Sequence, residues 1–424
     1  MVQRFMGDIA CFARLPPLPQ WVEGWYVARA RQRLNAAVAA AAKDQPTGNP
    51  RRQLLVDVSV IRKIDTGTGV QRVVRAILSR LLTVPPAGFD VRPVAATRGQ
   101  SYRYVAWHGV AVSPEFAGPI TVGAGDIFFG LDLSAHLIPR RFHQMAQWKR
   151  QGLELHFLLY DILALRHPEW FSRSLATAMR KWFRVITILA DSILCISPTV
   201  KDDVQQWSQE HYGLAPGLVI TRVIPMGGNF QATTPSRGLP PGFDQLCKSL
   251  KNRRNVLMVG TVEPRKGHSH VLAAFDALWK DGQDTVLVIV GKAGWRTEAL
   301  QSRITALAQS SDRLVWLKDA SDEALEKLYT LCTGVIMASL GEGFGLPVLE
   351  ALAHGKPLLV RDLPVFREHQ RFGISYFSSR DGDGLARDIA LWLADPIVPS
   401  NTLNLPTWDD TAAFIKGMLC QSAT

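Results

Sequence analysis

The chain has 424 residues, 47% apolar and 20% charged, the balance of a soluble globular protein with enough apolar material for two cores. Its formal net charge of +11 points to anionic partners, nucleotide diphosphates or anionic lipid ahead of nucleic acid, because no nucleic-acid recognition signature is present. Five scattered cysteines without a C-x-x-C pair argue against structural disulfides and zinc and suit a reducing cytoplasm.

No apolar run reaches the roughly 20 residues needed to span a bilayer, and Pro16, Pro17 and Pro19 break any secretory leader. The expected location is therefore the cytoplasm, with the inner membrane face as a candidate surface.

Residues 1–50 form an extension read as helical. Trp21 and Trp25 precede an alanine-rich run from Ala28 to Lys43 that carries Arg29, Arg31 and Arg33 and stops before Pro46. The readings are a helix lying on an anionic membrane surface, or else a helix packed on the protein's own first domain or a poorly ordered extension.

Residues 51–235 read as a first doubly wound domain. Leu54–Ser59 is a buried strand, and Asp65-Thr66-Gly67-Thr68-Gly69-Val70 leads from it into a helix over Gln71–Leu82. The glycine loop lacks the spacing of a dinucleotide fingerprint, yet at a helix start it can receive phosphate or a sugar. Further strands are expected at Ile127–Phe129, Leu155–Tyr160 and Ser192–Ile196, with Val223–Gly228 closing the domain. Asp161 and His167 follow the third of these strands, at the sheet edge where α/β proteins gather ligand contacts; Asp132 and His136 are weaker candidates that could equally cap a helix.

The stretch rich in Pro, Gly, Ser and Thr after Gln231 marks a linker, placed at 236–250, and residues 251–395 read as a second domain. Asn255–Gly260 is its opening strand, and Arg265-Lys266 in the next loop could neutralise a diphosphate. Strands follow at Thr285–Val290, Leu314–Leu317, Val335–Ala338 and Pro357–Val360. A late triplet, Asp381-Gly382-Asp383, reads as a turn, and residues 396–424 as a terminal helical segment returning to the first domain.

Gly341–Glu350, GEGFGLPVLE, is the most informative stretch. A buried strand enters a turn with three glycines, and Pro347 opens a helix whose free N–H groups favour an anion. Two carboxylates eight residues apart, Glu342 and Glu350, suit a polyhydroxylated ligand.

This segment, with Arg265-Lys266-Gly267 upstream, resembles the donor-binding signature of the retaining GT-B glycosyltransferases, specifically glycosyltransferase family 4 (glycosyl transferases group 1) of the bacterial polysaccharide type. The resemblance implies an α/β GT-B fold, two Rossmann-like domains facing across a cleft. It implies transfer of a hexose, mannose or glucose, from a GDP- or UDP-sugar to a saccharide acceptor, such as a lipid-linked one, with no cofactor and no metal. By resemblance Glu342 contacts the donor sugar and acts in catalysis, while Gly343, Phe344, Gly345 and Leu346 join Arg265 and Lys266 at the diphosphate. Glu350 takes the ribose, and Gly67, Gly69 and Arg72 line the first-domain side. Asp161 is expected to act on the acceptor hydroxyl, with His167 second. Tyr160 stands where relatives carry histidine, and Thr261 where they carry arginine. These departures keep a non-catalytic GT-B scaffold or nucleotide-sugar-binding protein as the alternative.

Overall fold

The computed structural model describes residues 19–42, 51–63, 67–108, 111–228, 238–400 and 404–421. The chain divides into two compact units, residues 1–226 with 408–424, and residues 227–407.

The first unit is built on an eight-stranded sheet ordered β4-β3-β2-β1-β5-β6-β7-β8. Its strands are β1 (Arg52–Asp57), β2 (Phe89–Ala95), β3 (Arg103–His108), β4 (Ala111–Pro119), β5 (Ile127–Gly130), β6 (Glu154–Leu159), β7 (Ser192–Cys195) and β8 (Ile220–Val223). From β2 to β8 every neighbouring pair is parallel, while β3 and β4 extend β2 as an antiparallel hairpin. The central strands β5 and β7 are buried along their whole length, which is why they read as unbroken apolar runs. The closing strand is Ile220–Val223 and not the expected Val223–Gly228, which shares only Val223 with it; Pro225 has no N–H to give the sheet.

The helices of this unit are α1 (Gln20–Ala41), α2 (Gly69–Thr83), α3 (Phe142–Arg150), α4 (Arg173–Leu189) and α5 (Pro198–Tyr212), together with the C-terminal helix Trp408–Gln421. Helix starts follow from local chemistry. Ser172 accepts from the Leu175 amide at 3.2 Å and Ser197 from the Val200 amide at 3.1 Å, and α5 stops at Gly213 in the left-handed region.

Among the described residues the N-terminal segment is a helix packed on its own domain. Helix α1 buries Val27, Ala30 and Leu34 and packs on α4 and α5. Gly24 permits this approach, because a Cβ there would come within 2.8 Å of the His211 carbonyl. The buried Glu23 carboxylate meets Arg180 at 2.7 Å and Arg184 at 3.3 Å, and Arg31 donates to the carbonyls of Thr187, Ala190 and Leu218. Trp21 and Trp25 stay outside, 79% and 65% exposed.

The second unit carries a six-stranded, all-parallel sheet ordered β11-β10-β9-β12-β13-β14. The strands are β9 (Asn255–Val259), β10 (Val286–Val290), β11 (Leu314–Leu317), β12 (Gly334–Met337), β13 (Leu358–Arg361) and β14 (Ser375–Phe377). Around them lie α6 (Phe243–Lys251), α7 (His268–Lys280), α8 (Glu298–Ser310), α9 (Asp322–Leu331), α10 (Leu346–Ala353) and α11 (Gly382–Ala394). Val256, Met258, Leu287, Ile289, Ile336, Leu359, Phe275 and Trp392 belong to one apolar core.

Two expectations change here. The stretch assigned to a linker at 236–250 is largely α6, which starts after Gly242 in the left-handed region and buries Phe243 and Leu250; Gln231–Ser236 lies outside the described residues. The Asp381-Gly382-Asp383 triplet is a helix start, with Asp381 accepting from the Gly384 amide at 2.7 Å. The terminal helix begins only at Trp408, and it packs on α2 through a 2.6 Å Arg80–Asp409 pair. Where the chain enters the second unit, the Gly228 amide donates to Pro406 at 3.2 Å, and a Cβ on Gly228 would come within 2.6 Å of Leu349 of α10.

Replacing Glu23 with alanine leaves Arg184 buried without its carboxylate, so the variant should lose about 3 kcal/mol of unfolding free energy in a denaturant titration.

Candidate active site

The sheet order brings the C-terminal ends of β9 and β12 side by side. The loop from β9 ends in a single turn, Pro264–Lys266, and the loop from β12 runs from Ser339 into α10. Two contacts stitch them: the Leu340 amide donates to the Arg265 carbonyl at 2.7 Å, and Gly267 passes so close that a Cβ would sit 2.2 Å from the Ala338 carbonyl. Gly267 also has φ 74°, so this turn needs glycine twice over.

Between the loops sits the Glu342 carboxylate, its side chain 7% exposed. It accepts from the Lys266 ammonium, from Arg265 Nη1 at 3.0 Å and from Ser339 Oγ at 2.7 Å. Arg265 also pairs through Nε with Glu263 at 2.8 Å and reaches the Gly341 carbonyl at 3.2 Å. Burial alone would raise the Glu342 pKa, but the facing Lys266 and Arg265 charges outweigh it and hold the carboxyl down at about 2. Two buried carboxylates, Glu263 and Glu342, thus stand against two cations.

The turn continues through Gly343 and Phe344 to Gly345, whose φ of 86° caps α10; a Cβ there would strike the Phe366 ring at 2.6 Å. Leu346 and Pro347 open the helix and direct its first amides out of the turn. Glu350, one turn in and 4% exposed, accepts from the Tyr329 hydroxyl of α9 at 2.7 Å.

Arg265, Lys266, Glu342 and Gly343–Leu346 therefore lie together on the two joined loops, with Glu350 on the helix they lead into. Three supporting residues had no sequence signal: Glu263, Ser339 and Tyr329. A serine closing an apolar run and a tyrosine inside a helix are ordinary in any fold, and only the contacts single them out.

In the first unit the loops after β1, β5 and β6 share one sheet edge. Gly67 has φ 67°, Gly69 begins α2, and Arg72 stands in the first turn of that helix; Asp65 and Thr66 lie outside the described residues. Asp161 accepts from the Leu163 amide at 3.0 Å, starting the short helix Leu163–Arg166. His167 stacks on Trp170 at 4.0 Å, with Nδ1 3.2 Å from Glu169. Tyr160 is a core residue whose hydroxyl donates to the Leu131 carbonyl at 2.8 Å, tying β6 to β5.

Asp132 is buried beside that edge and accepts from the amides of Val60 and Ile61, both at 2.7 Å, while His136 is exposed. Asp57 holds the same loop through the Ser59 amide at 3.0 Å and receives the Tyr102 hydroxyl at 2.9 Å. Burial, reinforced by Asp57, pushes the Asp132 carboxyl up to about 7. Among the described residues no group of three or more His, Cys, Asp or Glu is placed to hold a metal ion.

Residues 247–404 match the family model of glycosyl transferases group 1. Over 376 residues the chain is 36% identical to the serotype-specific mannosyltransferase WbdA of Escherichia coli, covering 86% of this chain and 44% of that protein. It therefore spans under half the length of this relative. A shorter match, 30% identical over 125 residues, is to the O-antigen chain mannosyltransferase RfbU of Salmonella typhimurium, covering 30% of this chain and 34% of RfbU. Among solved structures, Anabaena HepE in complex with UDP-glucose aligns with TM-score 0.54 at 17% identity, covering 88% of this chain and 98% of HepE. Sucrose-phosphate synthase from Thermosynechococcus elongatus aligns with TM-score 0.58, also at 17%, covering 88% and 95%. At such identities the likeness shows the fold alone, and that fold is GT-B.

Two measurements check the electrostatics. Folded Asp132 keeps its proton to about pH 7, whereas the unfolded chain releases it near 3.8. The folded state binds more protons across that window, so stability should fall as pH rises through it. Asp132→Asn keeps an acceptor for the two amides and should flatten this slope in urea titrations between pH 4 and 8. Tyr329→Phe removes the donor to a buried carboxylate and should cost about 1–3 kcal/mol in the same assay.

Proposed function

We propose that the chain transfers a hexose from a nucleotide diphosphate-sugar to a saccharide acceptor with retention of anomeric configuration, a reading supported by the match of residues 247–404 to the family model of glycosyl transferases group 1. The observation that carries the reading is the Glu342 carboxylate, fixed between Lys266, Arg265 and Ser339 at the entrance to the glycine turn.

In this reading the donor diphosphate lies against Lys266, Arg265 and the amides of Gly343–Leu346 at the start of α10. These groups are held in place before the reaction, so negative charge developing on the departing nucleoside diphosphate meets donors that need no reorganisation. Glu342 contacts the donor sugar and Glu350 the ribose. The acceptor hydroxyl attacks from the face that the nucleotide leaves, and Asp161 binds or helps deprotonate it, with His167 on the following turn. The base is guanine or uracil. Mannose is the favoured sugar, because WbdA and RfbU, both matched by sequence, are mannosyltransferases.

The acceptor we propose is a growing, lipid-linked saccharide of a bacterial surface polysaccharide, met at the cytoplasmic face of the membrane. The charge of +11 and the exposed Trp21 and Trp25 support a peripheral association with anionic lipid. No helix among the described residues is long and apolar enough to cross a membrane.

A thermal-shift screen against GDP, UDP and their sugar conjugates should give a selective stabilisation by one nucleotide, lost in the Arg265→Ala/Lys266→Ala double variant. With that donor, Glu342→Ala should lower kcat by about 10²-fold or more. Wild-type turnover in a folded Glu342→Ala protein would overturn the site assignment.

A further inference from the structure

Each charge in the Glu342 cluster already has a partner. Glu342 is bound by the Lys266 ammonium through one carboxylate oxygen and by Arg265 Nη1 through the other, at 3.0 Å. Arg265 has a second carboxylate, Glu263, 2.8 Å from Nε. The two cations are therefore not equivalent. If Glu342 withdraws, Arg265 keeps an anionic partner, while Lys266 exchanges its carboxylate for whatever anion arrives. The Lys266 stem lies along Gly260, with Cδ and Cε both 3.6 Å from where a Cβ there would sit, so the ammonium is guided along that backbone. A diphosphate reaching Lys266 meets an ammonium already paired with Glu342, and Glu342 in turn is freer to accept from sugar hydroxyls once another anion takes up that charge.

We propose that Glu342 and the donor diphosphate exchange places on Lys266: the arriving phosphate takes the ammonium, and the carboxylate so displaced becomes the acceptor for the hydroxyls of the transferred sugar. The inference rests on the donor-site reading above. It adds that one carboxylate both restrains the binding of free nucleoside diphosphate and rewards the binding of a sugar-bearing one. A sugar conjugate restores partners to the displaced carboxylate. A nucleoside diphosphate without sugar leaves it buried and short of a counter-charge, at an energetic cost. The site thus favours loaded donor over spent nucleotide, which are otherwise alike at the phosphates, and product release is helped when Glu342 returns to Lys266.

The test is calorimetric titration of wild type and Glu342→Gln with the free nucleoside diphosphate and with its sugar conjugate, using the nucleotide identified by thermal shift. The amide keeps the size of the side chain and its capacity to accept from Ser339, but it no longer competes as an anion. Exchange predicts that Glu342→Gln binds the free nucleoside diphosphate about three- to tenfold more tightly than wild type, while the preference for the sugar conjugate collapses. Ser339→Ala serves as the second variant. It retains the charge and removes one donor that anchors the carboxylate at 2.7 Å, so it should tighten nucleoside diphosphate binding by a smaller factor, read in the same titration.

Unchanged or weaker binding of the free nucleotide in both folded variants would overturn the exchange. Should Glu342→Gln fail to fold, unchanged or weaker binding in Ser339→Ala would do so by itself. If wild type binds no nucleoside diphosphate at millimolar concentration, the donor-site reading itself falls, and that outcome is separate from failure of the exchange alone.

Discussion

The charge balance at the joined ends of β9 and β12 governs the second unit. A carboxylate as enclosed as Glu342 is costly to keep ionised in a protein interior, and it is ionised here because Lys266 and Arg265 face it from the neighbouring loop. The loops must stay within hydrogen-bonding distance for this to hold. Gly267 and the Leu340–Arg265 backbone bond keep them there. Electrostatics and backbone geometry support each other: without the close approach the charges separate, and without the charges a polar cluster would be buried for no return.

The parallel sheet makes such a site available. Strands β9 and β12 are neighbours although distant in the chain, so loops 76 residues apart, those of Lys266 and Glu342, meet at one edge. The same logic operates in the first unit, where the loops after β1, β5 and β6 share an edge. Buried carboxylates there bind backbone amides rather than cations. Asp57 and Asp132 fix the loop after β1, and burial beside Asp57 pushes the Asp132 carboxyl up to about 7 despite the amides it accepts from.

How much of this was legible depended on whether the signal was local. Strands β9 to β13 of the second unit are short apolar runs that were readable in the sequence, most plainly β9, β10 and β12, which are buried almost throughout, while the short, half-buried β14 was not read. The glycine turn and its two glutamates were legible as a pattern. Glu263, Ser339 and Tyr329 were not: Glu263 and Ser339 have near neighbours, Arg265 and Glu342, as partners but are residue types that carry no signal by themselves, and Tyr329 meets Glu350 only through the fold. The hairpin β3–β4 and strand β2 escaped for another reason. Strand β2 contains Pro93 and alternates buried with more exposed positions beside Asp90 and Arg92, a weaker pattern than a continuous apolar run. Helix α6 was hidden because its entry is rich in proline and glycine, which resembles a linker until Phe243 and Leu250 find the core. Tyr160 is the instructive departure. As a substitution in a familiar position it suggested altered chemistry, yet its hydroxyl is spent on the Leu131 carbonyl, so the residue belongs to the core.

The close fit of Gly228 against Leu349 reaches beyond packing. Leu349 immediately precedes Glu350, and the Gly228 amide is bonded to Pro406, so both crossings of the chain into this unit are moored beside α10. The two ends of this unit are thus fastened to each other against the helix that bears Glu350, so a side chain added at Gly228 would press on the segment that positions that carboxylate.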